Sequence, residues 1–169
     1  MFNVIKKDLL RYSKHNRLLN IYKYYLTNRG FKAVVLFRIS NYFYKKNIKI
    51  LAMYFQHKNI KINGCEIGFE TEIDAGFKIR HPVGIVISGN SRIGENFTIA
   101  QNVTIGEKND GAPIIYENCD IGAGAVLLGN IIISNNTIVG ANSVVTKSTF
   151  SNSIIVGIPG KCINKNIKE

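Results

Sequence analysis

The stretch "CDIGAGAVLLGNIIISNNTIVGANSVV", residues 119–145, carries an aliphatic side chain at every sixth position. These positions are Ile121, Leu127, Ile133, Val139 and Val145. A sustained period of six indicates a parallel β-helix, in which each unit is a short strand plus a corner and three units close one turn. A β-sandwich would instead show alternation with a period of two.

The same period extends towards the N-terminus in further blocks. The aliphatic positions are Ile67, Ile73, Ile79 and Ile85, then, after a slip of two residues, Ile87, Ile93, Ile99 and Ile105, and finally Ile115. The segment "GEKNDGAP", residues 106–113, interrupts the period and predicts a loop extruded from one corner. About five turns are expected from residues 62–150, so the fold class is mainly β, a parallel β-helix.

The first sixty residues have a different character. The segment "VIKKDLLRYSKHNRLLNIYKYYL" spaces its apolar residues as a helix does, "NRG" at 28–30 resembles a helix stop, and "FKAVVLFRISNYFYKK" predicts a second helix. We therefore divide the chain into three parts. Residues 1–60 form a basic α-helical segment, residues 61–163 the β-helix domain, and residues 164–169 a C-terminal tail.

Charge is distributed very unevenly along the chain. Residues 1–61 hold fourteen Lys or Arg against one acid, Asp8, whereas residues 62–169 hold eight against ten acids. Helices that pack on the β-helix end, with solvated lysines outside, account for this segment. Peripheral association with an anionic membrane is the alternative. No nucleic-acid motif accompanies the basic residues, so we expect no nucleic-acid partner.

The three cysteines, Cys65, Cys119 and Cys162, form no CxxC pair or Cys/His cluster. We therefore expect plain thiols, no disulfide and no metal site. No apolar run approaches the length of a membrane span, and the N-terminus lacks the apolar core of a signal peptide. Cytoplasmic residence, with a possible place at the inner membrane face, is the expectation.

Several motifs between about residues 62 and 163 together resemble those of one enzyme family. They are "HPVGIVI", "FTIAQNVTIG", the stretch at 119–145, and "IVGIPGKCI" with Gly160 in place of the usual alanine. The chain resembles the hexapeptide-repeat acyltransferases, which are left-handed β-helices, and within them the serine O-acetyltransferase-like branch. The short helical N-terminus is more similar to the capsule and colanic-acid O-acetyltransferases.

This resemblance implies an acetyl-CoA-dependent O-acetyltransferase. It implies a homotrimer, acetyl-CoA as co-substrate in a groove between neighbouring β-helices, and direct transfer to an acceptor hydroxyl. His81 matches the family's general base, and Glu66 matches the acidic residue that assists it. A neutral imidazole suits the role, because its unperturbed pKa is near 6.5. The alternatives are a corner histidine bonded to backbone and a solvated carboxylate.

Other positions match the family's binding residues. Gln101 is expected one turn from His81, near the acetyl group, unless it is a simple turn amide. Gly106, Ala123 and Ala141 match positions where backbone amides meet the pantetheine arm, although tight corners also need small residues. Lys161 is expected to pair with a CoA phosphate or to be solvated. His15 and His57 are interpreted as surface residues.

Two departures from the serine acetyltransferase pattern bear on the acceptor. Serine acetyltransferases have an Asp before the catalytic histidine, where this chain has Arg80, and an Arg-His pair in the extruded loop, which "EKNDGAP" lacks. We therefore predict a sugar hydroxyl in bacterial surface polysaccharide synthesis as the acceptor, with Arg80 and Gln101 binding the substrate. Serine O-acetylation for cysteine synthesis is the alternative, and a non-catalytic trimeric scaffold is the second.

Overall fold

The computed structural model describes residues 1–14, 18–108 and 111–165. Four helices come first: α1 (Phe2–Leu10), α2 (Leu18–Thr27), α3 (Arg29–Lys45) and α4 (Lys49–Asn63). Fifteen short strands follow in the described residues. They are β1 (Cys65–Ile67), β2 (Glu72–Ile73), β3 (Lys78–Ile79), β4 (Ile85–Ile87), β5 (Arg92–Ile93), β6 (Thr98–Ile99), β7 (Thr104–Gly106), β8 (Ile114–Ile115), β9 (Asp120–Ile121), β10 (Val126–Leu128), β11 (Ile132–Ile133), β12 (Ile138–Val139), β13 (Val144–Val145), β14 (Ser153–Val156) and β15 (Lys161–Lys165).

The strands form three parallel sheets that make the sides of a β-helix. Sheet A contains β1, β4, β7, β10 and β13; sheet B contains β2, β5, β8 and β11; sheet C contains β3, β6, β9, β12, β14 and β15. Only β15 runs antiparallel among these, beside β14. The predicted left-handed β-helix is confirmed. It has about four turns rather than five, because sheet B has only four strands.

The aliphatic period builds the core by stacking side chains from successive turns. In sheet A one inward column is Ile67, Ile87, Ile105, Leu127 and Val145, and all five are at most 2% exposed. Ile85 lies in a second inward column with Cys65, two residues away from the first. The slip in the sequence is therefore two extra residues in the connection between β3 and β4.

At one corner of the β-helix, the asparagines adopt a left-handed backbone conformation. Asn96, Asn118, Asn136 and Asn152 have φ between 57° and 59°, a region that asparagine tolerates better than most residues. Their side chains also bond between turns: Asn96 donates to Asn118 at 3.1 Å, and Asn136 donates to Asn152 at 2.8 Å. The abundance of asparagine in the repeat therefore follows from the corner geometry.

The helices cover the N-terminal end of the β-helix, where the first turn would otherwise leave backbone groups unpaired. Five side chains from α1, α3 and the segment after α1 supply the partners: Asp8, Arg11, Tyr12, Arg38 and Asn41. Their backbone partners are the carbonyls of Phe69, Thr71, Ile73 and Asp74, both groups of Gly76, the N–H group of Phe77, and both groups of Ile79. This end is thus closed by side-chain hydrogen bonds.

Close packing accompanies these hydrogen bonds. Asp8 and Arg38 form a buried ion pair, with the Arg38 Nε to Asp8 Oδ2 distance at 2.8 Å. Burial raises the pKa of the Tyr12 hydroxyl well above its usual range, so it stays protonated and donates to the Ile79 carbonyl. A side chain at Gly30 would place its Cβ 2.1 Å from that carbonyl oxygen, which explains glycine there. 

The cysteines remain thiols. Cys65 and Cys119 are buried, and burial raises their pKa values to about 12 and about 11. Cys162 is exposed on β15. In the described residues, no three His, Cys, Asp or Glu side chains are arranged to hold a metal ion. None of the described helices is long and apolar enough to cross a bilayer.

Candidate active site

His81 lies on a bulge in the connection from sheet C to sheet A. Eight positions separate Ile79 from Ile87 in this turn, whereas six separate Ile99 from Ile105 in the next, although both ends pair in register. Pro82 is buried, while His81 is exposed. No side chain or backbone group of the described residues hydrogen-bonds to His81. The alternative of a corner histidine bonded to backbone does not describe this chain.

Glu66 projects from β1 on the outer face of sheet A. It pairs in register with Val86, five positions after His81, and both residues are exposed. Within the described residues, Glu66 makes no hydrogen bond or ion pair, so a single chain does not join it to His81. Its role as the acid partner stays a prediction.

A strip of small residues runs along the same corner, starting one turn away from His81. Backbone ladders stack Ala100, Gly122 and Gly140 in one column, with Ala123 and Ala141 in the column beside it. We call these five residues the small-residue trough. Ala141 is exposed and Ala123 half-buried, so the backbone here is open to a ligand. Ala123 and Ala141 thus share a surface, as a pantetheine site requires.

Gln101 lies in this corner, on the turn next to that of His81. Its turn stacks on Val83, because the Asn102 N–H donates to the Val83 carbonyl at 2.9 Å. Since Arg80 lies beside Ala100 and Gly84 beside Asn102, the three residues 81–83 face the single residue Gln101. Its role in binding stays a prediction.

Lys161 stands at the far end of the trough. Arg80, Ala100, Gly122, Gly140, Val156 and Lys161 occupy successive strands at one position of sheet C. Five strand spacings of about 4.8 Å separate the two cations by roughly 24 Å of backbone. Lys161 is exposed and can meet a charged group there.

Gly106 is not part of the trough. It ends β7 on the opposite side of sheet A, where a Cβ would lie 2.9 Å from Cδ2 of Leu128. The extruded loop begins here and bonds to the preceding turn: Glu107 accepts hydrogen bonds from Ser88 and, at 3.1 Å, from Asn90. Lys108 and Gly111 pair as a bridge, and residues 109–110 lie outside the described residues. Within one chain, loop and His81 occupy different corners.

Arg80 is paired with a residue that the sequence reasoning missed. Its guanidinium donates to both carboxylate oxygens of Asp120, at 2.9 and 2.5 Å. Asp120 lies two turns away and 40 residues later in the chain. The sequence signal was weak, because Asp120 is an outward position in a repeat whose outward residues vary. Arg80 therefore carries no unbalanced positive charge.

His57, the other histidine among the described residues, lies away from this corner. His57 is exposed on α4, where its ring nitrogen Nδ1 lies 2.9 Å from the Met53 carbonyl oxygen. His15 lies outside the described residues.

Comparison with known proteins identifies the family. No protein-family model matches the chain. It is 36% identical to the serine acetyltransferase of Bacillus pumilus over 148 residues, covering 85% of this chain and 68% of that protein. It is 31% identical to the Bacillus subtilis serine acetyltransferase over 173 residues, covering 99% and 80%. The chain belongs to the serine acetyltransferase family.

A solved structure supports the same assignment. The Brucella abortus serine acetyltransferase in complex with coenzyme A superimposes with a TM-score of 0.86 at 27% identity, covering 96% of this chain and 67% of that chain. The predictions of an acetyl-CoA-dependent acyltransferase and of acetyl-CoA as co-substrate are confirmed. The similarity to capsule and colanic-acid enzymes is not supported.

The predicted sugar acceptor is wrong. Relatives at 31% and 36% identity over most of the chain are serine acetyltransferases, which was the alternative. The prediction rested on the loop without an Arg-His pair and on Arg80 as a free cation that would repel an ammonium group, whereas Asp120 balances the Arg80 charge. These relatives also speak against the non-catalytic scaffold, because they are enzymes.

Proposed function

We propose that this protein transfers the acetyl group of acetyl-CoA to the side-chain hydroxyl of serine. The observation that carries the proposal is the exposed, unbonded His81 at one end of the small-residue trough, in a member of the serine acetyltransferase family. The trough offers backbone and small side chains to the pantetheine arm. Lys161, roughly 24 Å away by strand spacing, offers a cation to the phosphates.

In the proposed reaction His81 acts as general base. Its imidazole takes the serine hydroxyl proton as the oxygen attacks the thioester carbonyl, and a tetrahedral oxyanion forms. The C–S bond then breaks, and the imidazolium returns the proton to the departing CoA sulfur. Glu66, on the face of sheet A beside this corner, contributes a negative charge that favours the imidazolium.

Steady-state kinetics test the proposal directly. We expect acetyl-CoA consumption to depend on L-serine and to yield O-acetylserine and CoA in equal amounts. Glucose and N-acetylglucosamine serve as control acceptors. Turnover of these sugars with no turnover of serine would refute serine as the acceptor.

The trough can be tested separately through its most exposed member. The Ala141→Leu variant should raise the KM for acetyl-CoA by roughly tenfold or more, because one lost close contact with a buried ligand group is worth about 1.4 kcal/mol or more. Folding should be retained, since Ala141 is exposed. Lys147→Leu, exposed in the same turn, is the matched control and should leave this KM unchanged. An unchanged KM of the Ala141→Leu variant for acetyl-CoA would refute the proposal that acetyl-CoA binds in the small-residue trough.

We also infer a homotrimer. The outer face of sheet A presents Val86, Thr104, Val126 and Val144 in one row, a surface suited to contact with a neighbouring β-helix. Such contact would bring the loop of one chain to the His81 corner of the next. Light scattering of the purified protein measures the mass, and a monomeric mass would exclude the arrangement.

Membrane association of residues 1–60 stays a prediction. Its support is the outer face of α4, where Ile50 and Tyr54 are 73% and 58% exposed among lysines and no acids. Binding to anionic but not neutral vesicles at low salt would support it, and no binding to either would end it.

A further inference from the structure

Arg80 and Asp120 are two opposite charges fixed beside the catalytic corner. Arg80 directly precedes His81, and the side chains of Arg80 and Asp120 are 44% and 34% exposed. The neighbouring cation in this sheet, Lys78, points its ammonium at the ring of Tyr12, with Nζ 5.8 Å from the centroid. The pair therefore lies open to a ligand at this end of the trough.

Neither member of the pair is saturated by the other. A guanidinium has five N–H donors, and Arg80 uses one on each terminal nitrogen for Asp120. A carboxylate has about four acceptor sites, of which Arg80 occupies two. No other partner within the described residues bonds to the remaining N–H groups of Arg80 or to the remaining lone pairs of Asp120. One further anion and one further cation can bind side by side.

Under the proposed function, the two reactants differ in charge at this end of the site. The acetyl thioester is neutral, and the CoA phosphates belong at the Lys161 end, about five strand spacings away. An amino acid with a free hydroxyl carries one carboxylate and one ammonium close together. We propose that the Arg80–Asp120 pair binds the acceptor as a zwitterion, Arg80 holding its α-carboxylate and Asp120 its α-ammonium. This inference rests on the proposed function.

The competing interpretation is that the pair only links the first turn to the third. Parallel backbone ladders already join these turns, through β3, β6 and β9. A partly exposed ion pair adds little stability to such a stack. Arg80 also directly precedes the bulge that carries the base, and Asp120, in register with Lys78 two turns away, holds its guanidinium there. A role in recognition of the acceptor accounts for this location, whereas an ion pair that only links two turns could lie at any outward position.

The experiment removes one charge at a time from the enzyme and from the acceptor. The variants are Arg80→Gln and Asp120→Asn. The acceptors are L-serine, serinamide, which lacks the carboxylate, and 3-hydroxypropionate, which lacks the ammonium. The matched control is Arg92→Gln, because Arg92 pairs with Glu72 at 3.7 Å on sheet B, exposed and away from this corner.

The expected pattern is specific to each charge. Arg80→Gln should raise the KM for L-serine and 3-hydroxypropionate roughly 10- to 100-fold, the worth of a charge-assisted hydrogen bond, and leave serinamide unchanged. Asp120→Asn should raise the KM for L-serine and serinamide and leave 3-hydroxypropionate unchanged. Arg92→Gln should alter none of them. Equal changes of KM for all three acceptors, or no change of KM, would overturn the inference and leave the pair with a structural role only.

Calorimetric titration of L-serine into the CoA-bound protein separates this inference from the proposed function. Binding to the wild type that Arg80→Gln weakens at least tenfold supports zwitterion recognition, even if serine is never acetylated. A wild type that binds no serine at millimolar concentration overturns the inference. If the wild type acetylates serine and both variants do so with the same kinetics, the proposed function stands and the role of the Arg80–Asp120 pair in binding serine is refuted.

Discussion

Replacing His81 by alanine is expected to lower kcat for acetyl transfer to serine by about 10²- to 10⁴-fold, the usual contribution of a general base. His81 is exposed on the bulge and has no bonding partner in the described residues, so its removal disturbs no packing. The KM for acetyl-CoA and the melting temperature should therefore stay close to the wild-type values. Stopped assays with L-serine and acetyl-CoA give both constants.

The matched control for this variant is His57→Ala. His57 is also an exposed histidine, but it lies on α4, and its one hydrogen bond among the described residues is to the Met53 carbonyl. Its replacement should leave kcat within twofold of the wild type. A His81→Ala enzyme that folds and keeps its kcat would eliminate His81 as the base and, with it, the proposed mechanism.

Replacing Asp8 by alanine is expected to reduce the free energy of unfolding by about 3–5 kcal/mol, the usual cost of breaking a buried ion pair. Asp8 is fully buried and accepts hydrogen bonds from Arg38, Gly76 and Phe77 at 2.8 to 3.1 Å. The alanine variant leaves the Arg38 charge and two backbone N–H groups without this partner. Urea unfolding at one fixed protein concentration measures the loss.

An exposed ion pair on α1 provides the control. Lys7 and Glu95 lie 3.8 Å apart, with side chains 64% and 51% exposed. Glu95→Ala should change the free energy of unfolding by no more than about 0.5 kcal/mol. A loss for Asp8→Ala as small as this would mean that the helices do not close the β-helix end through Asp8.

The repeat could be predicted from the sequence because each inward side chain is buried against the side chains of the neighbouring turns. Ile79, Ile99, Ile121 and Val139 stack on one another in sheet C, so the period of six reports directly on the core. The period assigned Ile85 to the column of Ile67, whereas Ile85 stacks on Cys65 and Ile87 stacks on Ile67. A two-residue bulge and a change of column look alike in sequence. The number of turns was overestimated because the period alone does not show where sheet B ends.

The candidate site was predictable only where local sequence carries the geometry. "HP" at 81–82, in front of an apolar run, placed His81 at a corner, whereas the bulge there became visible only in the structure. Ala123 and Ala141 were indicated by the resemblance to the family. Gly106 lies at another corner of the chain, so its place beside the pantetheine arm stays a prediction. Glu66 has no partner among the described residues that sequence could have revealed.

By itself, the sequence determined the β-helix, its inward columns, the extruded loop and the His81 corner, because these depend on short-range periodicity and on turn chemistry. The tertiary structure decided which outward charges meet. Arg80 pairs with Asp120 across 40 residues, and Asp8 reaches Gly76 across 68, only because the stacking register and the helix docking bring them together. Outward side chains follow no period, so their partners depend on the three-dimensional stack.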